Sequence, residues 1–247
     1  MSILKHRTKR YSKVVSFGCS ITYGDGLDDI RYHEFINSGL SGEHNLKNYR
    51  LDNSFTGRLA DFLNCSSENY GEKSNNNDNI IRQAYEYCSK LSSEGSNTLI
   101  IVQTTFYSRK SLYDVNTEEE FLLNSHHDEI SNIPDYVTKH YQNYLVNFYD
   151  HAREFQHTNM MVDLLKNLLA SKGIDSIFLG YDSYSSLPQH YYSFPYTSTG
   201  SLQEFANKYQ LLIKDLPGIP FIDYHLTEEG HKAVAVMLKN YLEGKND

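Results

Sequence analysis

Tryptophan is absent from this 247-residue chain, cysteine occurs three times and proline five times. Cys19, Cys65 and Cys88 are too few and too scattered for a disulfide framework or a zinc site, which points to a reducing, cytoplasmic setting. No stretch approaches the ~20 apolar residues that span a bilayer. The basic run Lys5-His6-Arg7-Thr8-Lys9-Arg10 has no apolar segment of signal-peptide length after it, so it reads as a solvated arm and no membrane partner is expected. Positive charge is scarce: 23 Lys and Arg against 31 Asp and Glu give a net charge of -8, which argues against a nucleic-acid partner. What is abundant is tyrosine, with 21 copies. The length suits one α/β domain, 1–247, carrying a large insertion, with enough chain to bury a proper core.

Short β-branched and apolar runs alternate along the chain with stripes of helical spacing. Strands are expected at 13–17, near 65–69, at 98–103, at 174–179 and at 219–222. Between them fall a helix capped by Asn53 or Ser54 with Phe55, Leu59, Phe62 and Leu63 on one face, and a second with Ile80, Ala84, Tyr87, Cys88 and Leu91. A helix over about 201–214 and a final one starting at Thr227, with Val234, Met237, Leu238 and Tyr241 inward, complete the series. Residues 27–52 read as surface loop. Residues 106–172 read as a helical lid or flank, with Thr117-Glu118-Glu119-Glu120 as a helix start and Pro134 at the first position of a longer helix. The alternation calls for a three-layer α/β/α fold around a parallel sheet.

Two strand ends carry the chemistry. The run Lys13 to Phe17 stops at Gly18-Cys19-Ser20, which places a serine just past the carboxyl end of a strand, the edge where open α/β sheets bind ligands. Such a serine either caps a turn or serves as a nucleophile, and the segment alone supports both. The run Ile219 to Ile222 ends in Asp223-Tyr224-His225, a base with a carboxylate to orient it if its strand joins the same sheet. His231, six residues further on, is the competing base, although its place in the first turns of a helix suits packing. His126-His127-Asp128 has no partner spacing for a metal, and none is expected.

Together, Gly18-Cys19-Ser20 and Asp223-Tyr224-His225, with Gly230-His231 opening the last helix, resemble the SGNH or GDSL-like hydrolases. The resemblance implies a five-stranded, flavodoxin-like sheet and ester hydrolysis through Ser20, His225 and Asp223 without a cofactor. It also implies an oxyanion hole from the amides of Ser20 and Ser74 and the hydroxyl of Thr105. Asn69-Tyr70-Gly71-Glu72-Lys73-Ser74 follows the family's Asn-x-Gly-x-x-Gly block with serine for the last glycine, and Thr105 stands where the third block has asparagine. Tyr23, Arg109, Tyr184 and Tyr191 are the candidate substrate contacts, the last two from an unusually aromatic loop that suits a glycan, an acyl group, a protein interface or plain packing. The expected partner is a small-molecule or glycan ester, with O-acetylated carbohydrate a common case in the family. An O-acyltransferase and a degenerate binding or assembly module are the alternatives, and the oligomeric state is left open.

Overall fold

The computed structural model describes residues 10–36, 43–91, 97–123, 133–182, 186–214 and 225–245. The chain enters β1 (Lys13–Gly18) and turns at once into the short helix α1 (Ser20–Tyr23). Helices α2 (Ile30–Ile36), α3 (Glu43–Asn53) and α4 (Phe55–Leu63) lead to β2 (Ser66–Gly71), followed by α5 (Asn77–Lys90) and β3 (Thr98–Thr104). A hairpin of β4 (Lys110–Asp114) and β5 (Glu119–Leu123) precedes α6 (Asp135–Asn147), α7 (His151–Ser171) and β6 (Asp175–Gly180). Helices α8 (Leu202–Lys208) and α9 (Glu228–Glu243) close the fold.

Four strands form a parallel sheet in the order β2-β1-β3-β6, the order of a flavodoxin-like sheet as far as it is described. The expected fifth strand at 219–222 lies outside the described residues. β1 is paired on both edges, Gly18 opposite Gly71 on one side and Phe17 opposite Val102 on the other. Every residue of β3 is buried, which explains its unbroken apolar and β-branched run. Helix α4 packs with α9, whereas α5 and α7 pack on each other and on β1, β3 and β6, which makes the third layer.

Several sequence expectations change. Residues 27–52 are not simply loop. Helices α2 and α3 dock there through Tyr32, Leu46 and Arg50, all nearly fully buried, and through polar bonds to the start of α9. Tyr32 accepts the Glu228 amide proton at 3.1 Å and Tyr49 donates to the Glu228 carboxylate. One apolar anchor per helix gives no stripe for periodicity to detect. The acidic stretch at 117–120 forms a hairpin turn and the start of β5, with Glu118 at φ 58°, not a helix. Pro134 caps α6 from outside its first turn, one position earlier than expected.

The stretch 106–172 therefore divides. β4, β5 and α6 share a small separate cluster of Leu123, Val137 and Tyr141, whereas α7 is the crossover helix between β3 and β6 and belongs to the central layers. Helix α8 stops at Lys208, and Leu212 bridges antiparallel to Leu226 instead of continuing it. Phe62 and Tyr241, expected inward, are more than a third exposed. The candidate cluster His126-His127-Asp128 lies outside the described residues. No helix among those described is long and apolar enough to cross a membrane.

Two local features bear on the site. His231 is fully buried at the start of α9, stacked on Phe55, and its Nδ1 accepts the Phe55 amide proton at 3.1 Å. That proton is one of the orphan donors of the first turn of α4, so His231 acts as a neutral cap. Burial, followed by the charges of Arg58 and His225, lowers its pKa to about 3. Ser74, in the β2–α5 connection, adopts φ 60°, the left-handed region that favours glycine.

Two stability measurements follow. Because the unfolded chain protonates His231 near the usual ~6.5 and the folded chain only near 3, this residue's contribution is present at neutral pH and is lost as pH falls through that window. Urea midpoints of His231→Asn, which keeps an acceptor but does not titrate, should fall less between pH 6.5 and 4 than those of the unmodified chain; equal slopes would contradict this. For Ser74, glycine should be tolerated or slightly stabilising, whereas valine should cost ~1–2 kcal/mol through the left-handed penalty, read as a lowered thermal midpoint.

Candidate functional site

The site begins with the exit from β1. Gly18 has no room for a side chain: a Cβ there would lie 2.0 Å from Thr22 Oγ1. That hydroxyl donates to Gln103 Oε1 at 2.8 Å, fastening the turn after β1 to the end of β3. Gly71, opposite Gly18, lies equally close to the turn, and a Cβ there would sit 2.2 Å from the Tyr23 amide nitrogen. Asn69 completes the clamp, donating to Thr22 O at 2.7 Å while its Oδ1 accepts from Gly71 N at 2.9 Å. The two glycines and Asn69 thus hold Ser20 at the first residue of α1, 6% exposed, on the carboxyl edge of the sheet.

Behind Ser20, Cys19 is buried against Gln103. Burial pushes its thiol up, but the Arg109 charge and hydrogen bonds from its surroundings outweigh this and leave it below the usual thiol range.

The β2–α5 connection forms the second wall. Its asparagines are structural: Asn76 caps α5, accepting from Asn79 N at 3.0 Å, and Asn75 Nδ2 donates to Gly18 O at 3.3 Å. Asn77 holds the backbone of Thr105 in both directions, Oδ1 accepting from Thr105 N at 2.7 Å and Nδ2 donating to Thr105 O at 3.2 Å. Thr105 itself is 1% exposed, and its Oγ1 is buried without a hydrogen-bond partner. Ser74, Thr105 and Ser20 are therefore carried by adjacent segments, bound to one another through Asn75, Asn77 and the Glu72 amide, which donates to Gly18 O at 3.1 Å.

His225 comes from the other end of the chain. Its carbonyl accepts from Ile213 N at 2.9 Å, next to the Leu212–Leu226 bridge, and this fixes the segment that leads into α9. Its Nε2 lies 3.5 Å from Asp25 Oδ2. Asp25 in turn donates its amide proton to Ser20 O at 2.9 Å, and its Oδ1 pairs with Lys73 Nζ at 2.5 Å. One carboxylate thus joins the serine turn, the loop of Ser74 and the histidine segment. Asp25 was missed in the sequence. The signal available was its place in Gly24-Asp25-Gly26, where Gly24 and Gly26 take φ 82° and 89° and turn the chain back over Ser20.

Among the described residues, no hydrogen bond joins the Ser20 hydroxyl to His225. Hydrogen bonds of this kind are commonly long without substrate. Asp223 and Tyr184 lie outside the described residues.

The other expected contacts separate. Tyr23 is half-buried with the Arg50 guanidinium 3.7 Å above its ring. Tyr191 is 6% exposed within the main core, where burial raises its pKa, so it packs beneath the aromatic loop rather than lining an open surface. Arg109 is half-buried, with Nη1 3.4 Å from Asn75 O, and so stands over the connection that carries Ser74. No group of three or more His, Cys, Asp or Glu suited to a metal occurs among the described residues.

No protein-family model matches the chain, nor does any curated protein sequence. Solved structures similar to it include a putative lipolytic protein of the G-D-S-L family from Desulfitobacterium hafniense, 11% identical, with a TM-score of 0.42, covering 93% of this chain and 98% of the other. A member of the lipolytic G-D-S-L family from Veillonella parvula is 9% identical, with a TM-score of 0.41, covering 92% and 96%.

Proposed function

We propose that the protein is a serine ester hydrolase. The observation that carries this reading is the junction at Asp25, which brings a serine at the exit of β1 and a histidine at the entry to α9 to the same edge of a parallel sheet. In this reading His225 takes the proton of Ser20 as the hydroxyl attacks the ester carbonyl. The acyl group passes to Ser20 Oγ, and the proton goes to the departing alcohol. Water, deprotonated by His225, then releases the acid and restores the serine. The Ser20 and Ser74 amides and the Thr105 hydroxyl are the proposed donors to the oxyanion. Thr105 suits that part because its hydroxyl is buried and has no other partner.

Asp25 is the carboxylate proposed to hold the imidazole, alongside the expected Asp223. His231 is unsuited to be the base, since it is fully buried and its Nδ1 is already committed to α4. The resemblance favours small acyl esters, O-acetylated glycans among them. The sugar-accepting transferase would use the same residues and differ only in the nucleophile of the second step. No cofactor is required by this chemistry.

Turnover of p-nitrophenyl acetate tests the assignment. Ser20→Ala should abolish it, and His225→Ala should reduce it by roughly 10²- to 10⁴-fold. Undiminished turnover in well-folded Ser20→Ala would overturn the reading. A carboxylate beside an imidazole stabilises its charged form, so Asp25→Asn should move the acid limb of the kcat/KM profile to lower pH and lower kcat at least about tenfold. The neighbouring charges are Lys73 and Asp28, the latter paired with Arg50, whereas the buried His231 stays neutral. Lys73→Met, which leaves Asp25 in place, separates their effect. An unchanged profile in Asp25→Asn would remove Asp25 from the mechanism.

A further inference from the structure

Among the described residues, most cations around the site are held by carboxylates, and Arg109 is not. Lys73 is held by Asp25 at 2.5 Å, Arg50 by Asp28 at 3.2 Å, Arg82 by Glu120 at 3.2 Å, and Lys110, the next residue after Arg109, by Glu154 at 2.7 Å. Arg109 makes no ion pair among the described residues. Its only hydrogen bond there is the 3.4 Å contact to Asn75 O, and its Nε is buried with no partner. A half-buried guanidinium in this state has donors to offer a ligand.

Its position indicates which ligand. The guanidinium carbon stands 5.4 Å from the Phe106 ring centre, within cation–π range. Asn75, its partner, also touches Gly18, two residues before Ser20. The 14-residue helix α5 begins beside it, presenting its positive end to the same space. Two further buried donors there lack partners, Asn76 Nδ2 and Thr105 Oγ1. The nearest acid of that helix, Asp78, is already engaged by His157 at 3.3 Å and Lys110 at 4.0 Å.

We infer that Arg109 binds a carboxylate of the substrate, so that the preferred ester is one bearing an acidic group close to the scissile bond, as in an acylated acidic sugar or hydroxy acid. The planar fork of the guanidinium matches a carboxylate through two parallel hydrogen bonds. This inference rests on the ester-hydrolase reading and deepens it. In a protein of net charge -8, a cation at the site that makes no ion pair among the described residues also gives discrimination that general surface charge would oppose.

The test uses two pairs of esters with the full chain. 4-Acetoxybenzoate against its methyl ester places the charge on the alcohol side; mono-4-nitrophenyl succinate against 4-nitrophenyl butyrate places it on the acyl side. The expected result is a higher kcat/KM for the charged member of at least one pair, by about tenfold or more, mainly through a lower KM. In Arg109→Gln that preference should vanish, and in Arg109→Lys it should be partly kept, with thermal unfolding run beside each to confirm folding.

No preference in the unmodified protein overturns the inference while leaving the hydrolase standing. Equal loss on charged and neutral esters in Arg109→Gln also overturns it, because Arg109 would then act on the oxyanion or on the loop. No turnover of any of the four esters by the folded, unmodified protein would remove the hydrolase reading and the inference together.

Discussion

The structure depends on the burial of β1 between two parallel neighbours. A strand paired on both edges and covered on both faces has to be apolar along its length and has to end abruptly where the chain leaves the sheet. Val14, Val15 and Phe17 meet the first requirement. Gly18 meets the second, because the returning turn packs so tightly that the end of β1 has space only for hydrogen. The close approach of Gly18 to Thr22 and of Gly71 to Tyr23 is one constraint seen from two strands, and it determines where Ser20 stands.

From that point the site is assembled by polar side chains that bridge segments rather than by a dense apolar pocket. Asn69, Asn75, Asn77 and Gln103 each bond to the backbone or side chain of a neighbouring segment, and each is placed so that its own polar atoms are satisfied in doing so. Asp25 extends the same logic across the chain, from the serine turn to Lys73 and His225. The leftover polarity is then informative. Thr105 Oγ1, Asn76 Nδ2 and Arg109 Nε are among the buried polar atoms left without a hydrogen-bond partner among the described residues, and all three can donate to an anion.

Much of this framework was legible in the sequence. The strands β1, β3 and β6 stand out because full burial on both faces demands unbroken apolar runs, and α5 and α9 because one covered face produces a helical stripe. Helices α2 and α3 were not legible, since Tyr32, Arg50 and Tyr49 dock through hydrogen bonds and ion pairs that leave no apolar period. The hairpin of β4 and β5 was misread because a run of glutamates favours a helix start locally, while pairing with Lys110 to Asp114 decides otherwise. Within the site, Ser20 followed from the end of β1, whereas the strand expected before His225 lies outside the described residues. Asp25 was not legible, because its role arises from a contact across some 200 residues of chain that no local pattern encodes. Ser74 shows the reverse: a serine where the resemblance expects glycine, in the left-handed backbone region that favours glycine.

As an ester hydrolase the protein would use Ser20 as a nucleophile rather than as the cap of a short helix. Reaction of the intact protein with a fluorophosphonate, followed by intact-mass and peptide mapping, tests it most directly. A single adduct is expected on the peptide containing Ser20, formed more slowly as the pH is lowered and the general base becomes protonated. Absence of any adduct at Ser20 in the folded protein would contradict it and would leave the fold as a scaffold for binding.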